Sequence, residues 1–135
     1  MADVFSKEKR SEIMSVIKST NTKPELFVRK LIHSMGYRFR LHDSKLPGKP
    51  DLVFKKYKKV IFIHGCFWHG HRKCKRSYLP NSNKEFWKNK ITKNKKRDIR
   101  NYKLLSKLGW EYLIIWQCDI RKEDLKKIIN NFLKE

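Results

Sequence analysis

The sequence predicts an α/β fold in which a small mixed β-sheet is flanked by helices. Short apolar runs typical of strands occur at 51–54, 59–63 and 110–116, and longer stretches carry apolar residues at helical spacing. The predicted order is helix, helix, three strands, helix, strand, helix, and a sheet covered by helices buries such a set well. With 135 residues and no linker or repeat, we expect one domain spanning 1–135.

Two helices are predicted before the first strand. Residues 6–20 place apolar side chains at helical spacing among charges, and we expect this helix to be marginal alone and to order on its target. The second helix begins at Thr22, whose hydroxyl can cap it, and runs to Gly36. Glu25, three residues after Thr22, completes a capping box, which on the sequence alone is its favoured explanation.

Three strands are predicted next. Residues 37–41 alternate Tyr, Phe and Leu with two Arg, which is the period of a strand with one buried face. A loop rich in Pro and Gly at 46–50 interrupts this pattern. The runs at 51–54 and 59–63 then indicate two short strands, the second apolar enough to be central in a sheet.

The second half of the chain begins with a segment at 64–83 that has no periodicity and is rich in His, Cys and aromatic residues. Asn83 is predicted to cap a long helix that ends at Leu108, followed by a strand at 110–116 and a closing amphipathic helix at 123–133. The side chains predicted to face inward from the long helix are Phe86, Ile91, Ile99, Tyr102 and Leu105. Its other face is a basic stripe formed by Lys84, Lys88, Lys93, Lys95, Lys96, Arg97, Arg100 and Lys103.

The net charge points to a polyanionic partner. Lys and Arg total 34 against 13 Asp and Glu, a formal charge of +21, which exceeds what solubility requires. Nucleic acid is the first candidate, because neutralised phosphates release counterions and supply affinity. A membrane is disfavoured, since the longest apolar runs, 60–63 and 113–116, are too short to span a bilayer and residues 1–11 lack the apolar segment of a signal peptide. We therefore expect a soluble intracellular protein.

The three cysteines suggest a metal site. Their odd number and the lack of an export signal argue against a disulfide framework. Cys66, His69, His71 and Cys74 lie in one short loop, and Cys118 follows the last strand, so three thiols and two imidazoles are available for the four positions of tetrahedral zinc. A zinc with four protein ligands would be structural. The alternative is that Cys118 is a small core residue and the loop cysteines bind nothing.

The strongest candidate for catalysis is Asp51. It stands at the head of one strand, and the next strand ends at His64, an arrangement that resembles the restriction-endonuclease-like core of the PD-(D/E)xK nuclease superfamily. A carboxylate there is a hard oxygen ligand suited to Mg²⁺. Pro-Asp after Gly-Lys is also a common turn, but His64 and His69 strengthen the catalytic interpretation, because imidazoles titrate near neutrality and can activate water or protonate a leaving group.

Several motifs are spread along most of the chain: Arg10-Ser11-x-x-Met14, Asp51, His64-Gly65-Cys66-Phe67-Trp68-His69-x-His71, Glu85-Phe86-Trp87, Lys90, Asn94, Arg97-Asp98, Leu108-Gly109-Trp110 and Cys118. Together they resemble the very-short-patch mismatch repair endonuclease (Vsr) family. The resemblance implies a nuclease domain with a structural zinc, which uses Mg²⁺ to cut the T-containing strand 5′ of a T:G mismatch left by deamination of 5-methylcytosine, so that a polymerase replaces a short patch. It also implies that residues 1–20 contact DNA.

Carried over by position, the resemblance implies roles in hydrolysis. Asp51 would bind Mg²⁺ together with the backbone carbonyl of Ile63. His69 would be the general base for the attacking water, and His64 would support the scissile phosphate or the leaving group. Glu25 would assist through the water shell of the metal.

The resemblance also implies a zinc set and a set of DNA contacts. The zinc ligands would be Cys66, His71, Cys74 and Cys118. The residues at the mismatch would be Phe67, Trp68 and Trp87 in the base stack, Met14 from the opposite groove, and Lys90 and Asn94 near the mismatched bases. Such wedges kink a step most easily where pairing is already poor. Without the resemblance, Phe67 and Trp68 would be interpreted as a hydrophobic cover over the zinc.

Under this interpretation the partner is double-stranded DNA with a T:G mismatch, and mismatch-repair proteins and a DNA polymerase are further candidates. The protein would act as a monomer in a bacterial-type cytoplasm, associated with the nucleoid. Three alternatives stay open: a general or restriction-type nuclease on the same core, a zinc-stabilised DNA-binding module without activity, and a zinc hydrolase that uses the His-rich loop catalytically.

Overall fold

The computed structural model describes residues 22–72, 74, 75, 78–121 and 124–134. The helix predicted at 6–20, with Met14, lies outside this part of the chain. The elements in chain order are α1 (Lys23–Ser34), β1 (Arg40–Leu41), β2 (Leu52–Phe54), β3 (Lys59–His64), α2 (Lys84–Lys107), β4 (Glu111–Trp116), a 3₁₀ turn (Gln117–Arg121) and α3 (Leu125–Leu133).

The four strands form one mixed sheet in the order β1-β2-β3-β4, which confirms the predicted α/β class. β1 pairs antiparallel with β2 and β2 antiparallel with β3, whereas β3 and β4 are parallel. A parallel pair needs a long crossover, and α2 lies in that connection. The carboxyl ends of β3 and β4 therefore meet, with His64 opposite Trp116.

Helices cover both faces of the sheet. Because side chains alternate along a strand, Leu52 and Phe54 face one side of β2 and Val53 the other. On the first side α1 and α3 contribute the buried residues Val28, Ile32, Leu125, Ile129 and Leu133. On the second side α2 contributes Leu105, which packs with Val60 and Phe62. No helix among the described residues has the length and apolar character to cross a membrane.

The inward face of α2 differs from the prediction. Phe86 and Ile99 are 58% and 53% exposed, so placing them inward was wrong, whereas Ile91 and Leu105 are buried. The buried stripe instead passes through Asn94, a polar residue that apolar periodicity does not place inside. This face of α2 meets the loop after β3 and a polar cleft as well as the sheet, so polar side chains occupy it.

Two local predictions also need correction. Asn83 has a left-handed backbone (φ 53°), and its side chain makes no hydrogen bond to the first turn of α2, because a capping side chain requires an extended backbone at this position. The strand predicted at 37–41 pairs only at Arg40–Leu41, although Tyr37 and Phe39 still pack against the core.

Candidate active site and metal centre

Asp51 is held at the carboxyl end of β3. Its Oδ2 accepts a hydrogen bond of 2.7 Å from the backbone N–H of Ile63. Burial raises the pKa of Asp51, and this exceeds the lowering by the Ile63 hydrogen bond and by the charges of His42, His69 and Arg29. A buried carboxylate of this kind would be stabilised by a cation.

A cleft of about 530 Å³ opens beside Asp51. Asp51, just before β2, and the end of β3 contribute to its floor, the loop 42–49 forms one wall and α2 forms the other. The loop approaches α2 closely at Gly48, where a Cβ atom would lie 3.1 Å from the Phe62 ring and 3.2 Å from Asn101, and where φ is +80°. Any other residue there would narrow the cleft or shift its wall.

His64 and His69 stack face to face in this cleft. Their ring centroids are 3.7 Å apart and their planes differ by 9°. Burial, reinforced by the neighbouring His69, lowers the pKa of His64 from 6.5 to about 3. His64 is therefore neutral near pH 7, where it can donate one N–H and accept at its other nitrogen.

His69 has a carboxylate partner, Asp98, which the sequence analysis includes in the Arg97-Asp98 motif but to which it assigns no role. Its Nδ1 lies 2.6 Å from Oδ2 of Asp98 on α2. A carboxylate can only accept, so Nδ1 carries the proton and the lone pair of neutral His69 is on Nε2. The signal for Asp98 was its position seven residues after the buried Ile91, which is two turns along the same face of the helix.

Glu25 is buried in α1 and does not complete the capping box. The Thr22 half of the box is present, because Thr22 Oγ1 accepts from the Glu25 backbone N–H at 3.3 Å. The Glu25 carboxylate instead contacts the Arg29 guanidinium and lies 2.8 Å from Nε2 of His42. The potential ligand atoms of Glu25, His42 and Asp51 lie within 4.8 Å of one another, so these three could hold a metal ion.

A second ligand cluster lies at the end of β4. Cys66, His71, Cys74 and Cys118 place one ligand atom each within 4.8 Å of one another and could hold a metal ion. Burial raises the pKa of Cys66 to about 12 and also raises that of Cys118. Three sulfurs and one nitrogen are a donor set of structural zinc, whose charge would offset this cost. Of the two loop imidazoles, His71 faces this cluster and His69 faces the cleft.

The His71 imidazole is fixed by its surroundings. It stacks on Trp116, with ring centroids 4.1 Å apart and planes 9° apart, and its Nδ1 lies 3.4 Å from the Cys118 sulfur. Cys66 is fully buried. The cluster therefore joins the loop after β3 to the turn after β4.

The aromatic residues that the resemblance assigns to the mismatch form one cluster. Phe67, Trp68 and Trp87 contact one another edge to face, with centroids 5.4 to 5.7 Å apart, and all three are half-buried. Asn94 is buried and donates from Nδ2 to the Trp68 carbonyl at 2.9 Å. Asn94 thus anchors the loop that carries Trp68. Lys90 is exposed on α2, as is every residue of the basic stripe.

Comparison with known proteins shows that this chain is similar to mismatch endonucleases and nicking enzymes. Residues 2–76 match the family model described as DNA mismatch endonuclease Vsr. The chain is 45% identical over 121 residues to the DNA mismatch endonuclease Vsr of Escherichia coli K12, covering 90% of this chain and 77% of the relative. It is 44% identical over 136 residues to the type II nicking enzyme V.NmeAIP of Neisseria meningitidis, covering 100% and 96%. It is 48% identical over 120 residues to the type II nicking enzyme V.XorIIP of Xanthomonas oryzae, covering 89% and 88%.

Proposed function

Because the chain belongs to the Vsr family of DNA mismatch endonucleases, and is thus a hydrolase that acts on DNA, we propose that it nicks the T-containing strand 5′ of a T:G mismatch. The reaction would be Mg²⁺-dependent hydrolysis of one phosphodiester, in the repair of deaminated 5-methylcytosine. The observation that carries the proposal is the His69–Asp98 pair, which lies in the same cleft as the Asp51 carboxylate.

Asp51 and the backbone carbonyl of Ile63 would hold the Mg²⁺, and Glu25 would contact its water shell. In a strand, the N–H and the C=O of one residue point toward the same neighbouring strand. Because the Ile63 N–H donates to Asp51, the Ile63 carbonyl is expected on the same side of β3 as Asp51. Oxygen donors of this kind suit the ion. When bound, Mg²⁺ supplies positive charge that stabilises the phosphate and lowers the pKa of bound water.

His69 would act as the general base. Its Nε2 would take a proton from the attacking water as the water oxygen bonds to phosphorus and the bond to the leaving oxygen breaks. The leaving oxygen would take a proton from solvent water to become the hydroxyl end of the nicked strand. Asp98, on Nδ1, would fix the tautomer of His69 and stabilise its cation. The neutral His64 beside it would donate an N–H to the scissile phosphate or to the leaving oxygen.

Cys66, His71, Cys74 and Cys118 would bind a structural zinc. With four protein ligands no position is left for water, which argues against catalysis at this cluster. Cys66 is three residues before His69, and Cys118 follows β4, so the metal would fix the base relative to the sheet. A zinc hydrolase is correspondingly disfavoured.

DNA would lie across α2 and the loop 64–72. The exposed basic stripe would contact phosphates, and Lys90 would lie near the mismatch. Phe67, Trp68 and Trp87, with Met14 from the other groove, would wedge into the weakened step, and Asn94 would support Trp68. We expect a monomer that works on chromosomal DNA in the cytoplasm, upstream of a polymerase and other repair proteins.

The experiment uses two labelled duplexes that are identical except for one T:G or T:A pair. With Mg²⁺ the protein should nick the T:G duplex, and EDTA or D51N should abolish nicking while D124N, at an exposed carboxylate, should not. Binding without nicking would favour the non-catalytic module. Equal cutting of both duplexes would favour a general or restriction-type nuclease.

A further inference from the structure

We propose that His42 is a positioning residue of the hydrolytic centre, whose imidazole holds the Glu25 carboxylate beside Asp51. This inference rests on the proposed roles of Glu25 and Asp51. Neither the sequence patterns nor the motifs of the resemblance include His42, which lies in the loop after β1. The structure brings it into the cleft that holds Asp51, His64 and His69.

The Glu25 carboxylate depends on its partners for its orientation. Glu25 is 1% exposed, and a buried carboxylate is costly unless it is hydrogen-bonded. The Arg29 guanidinium, one turn along α1, contacts the same oxygen that lies 2.8 Å from Nε2 of His42. Because a carboxylate only accepts, Nε2 of His42 donates to it. His42 is the partner that belongs to the cleft wall rather than to α1.

The backbone of His42 is tied to that of Asp51. The His42 N–H donates to the Asp51 carbonyl at 3.2 Å, which extends the ladder between β1 and β2 by one residue. The His42 imidazole and the Asp51 carboxylate therefore extend from backbone positions that lie opposite each other in this ladder. This geometry explains how the ligand atoms of Glu25, His42 and Asp51 come within 4.8 Å of one another although α1 and β2 are separate elements.

His42 occupies a conformation that favours glycine. Its φ is +48°, in the left-handed region that residues with a Cβ adopt at a cost. Backbone strain of this kind persists where the surrounding structure fixes it and is concentrated at functional sites. A purely structural role predicts that removal of the side chain destabilises the protein. A positioning role predicts that glycine is tolerated by the fold but not by the reaction.

The test compares H42G, H42Q, H42L, E25Q and the H42G/E25Q double variant. K58G is the matched control, because Lys58 has φ of +52° but is exposed in the turn between β2 and β3. The measurements are the single-turnover nicking rate on the T:G duplex as Mg²⁺ is varied, the affinity of the DNA-free protein for Mn²⁺ by electron paramagnetic resonance, and the melting temperature.

H42G should nick about 10²-fold more slowly, need more Mg²⁺ for half-maximal rate and bind Mn²⁺ more weakly. Its melting temperature should stay close to that of the wild type, because relief of the left-handed strain at residue 42 offsets the lost hydrogen bond to Glu25. H42L should lose activity similarly, and H42Q, whose amide can donate to Glu25, should recover most of it. K58G should nick at the wild-type rate. In the E25Q background H42G should have little further effect, because the two residues act as one unit.

Several results would overturn the inference. The first is a nicking rate and an Mn²⁺ affinity in H42G and H42L that equal those of the wild type. The second is a double variant whose nicking rate is reduced by the product of the reductions in H42G and E25Q. If D51N and E25Q are inactive while H42G is not, only the role of His42 fails. If the wild type does not nick at all, the proposed function fails, and Mn²⁺ affinities that are lowered alike in H42G and E25Q would still support the positioning role.

Discussion

His64 and His69 stack on each other, yet their surroundings give them different chemistry. His64 is buried, and its pKa falls to about 3, so it acts as a neutral hydrogen-bonding group. His69 has Asp98 on Nδ1, an arrangement that leaves Nε2 as a base. The proposed division of roles between the two imidazoles has its physical basis in these surroundings. The resemblance implies the same roles by position but does not identify Asp98 as the partner of His69.

Replacement of Asp98 by Asn should lower the nicking rate by about 10²-fold or more, because the amide does not fix the His69 tautomer or stabilise its cation. DNA affinity should change little. Single-turnover rates and filter binding on the T:G duplex measure the two effects, with D124N as an isosteric control at an exposed position. A D98N protein that nicks at the wild-type rate would exclude the pair from catalysis.

The low pKa of His64 predicts a pH dependence of stability. Between pH 6.5 and about 3 the unfolded state binds a proton at His64 that the folded state does not, so the free energy of unfolding falls as the pH is lowered through this window. The H64N variant should lose this component and show a shallower decline. Urea unfolding of the DNA-free wild type and variant across that pH range measures the difference. Parallel curves would contradict the assigned environment of His64.

The order of the described helices and strands was predictable from the sequence, because apolar residues recur at clear helical or strand spacing. The sequence did not predict the inner face of α2, where Asn94 bonds to the loop that carries Trp68 and Asp98 faces the polar cleft. The partners of Glu25 were also not predictable. Arg29 and His42 meet Glu25 through tertiary packing between α1 and a loop.

The proximity of motif residues was predictable where one short loop contains most of them. Cys66, His71 and Cys74 are close in sequence, and Cys118 joins them because β3 and β4 are parallel neighbours. Sequence spacing did not indicate that His69 faces the cleft while His71 faces the cysteine cluster. This difference follows from the turn 65–71, where the backbone N–H groups of His69 and His71 donate to the carbonyls of Gly65 and Cys66.

Replacement of Cys118 by Ser should reduce zinc content and melting temperature together, because metal binding is coupled to folding. Zinc is measured by elemental analysis of the purified protein and stability by calorimetry. S106A, at an exposed hydroxyl on α2, serves as a surface control. One zinc per chain retained in C118S would remove Cys118 from the ligand set.

The charge of +21 on the whole protein should make its affinity for duplex DNA depend steeply on salt. For about 6 phosphate contacts the loss is about 10³-fold between about 50 and about 200 mM salt. K96Q/R100Q, on the basic stripe, should flatten the slope of log affinity against log salt by about 2. K126Q/K127Q should leave this slope unchanged, because α3 packs against the other face of the sheet. Equal slopes for all three proteins would contradict the placement of DNA on α2.

Strand-specific nicking beside a T:G mismatch is tested by mapping the position of the cut. A T:G duplex is labelled separately on each strand and incubated with the protein and Mg²⁺, and the products are sized to single-nucleotide resolution. We predict one cut, 5′ of the mismatched T, with the G-containing strand intact. Cuts in both strands, or a cut whose position does not move with the mismatch, would contradict the account.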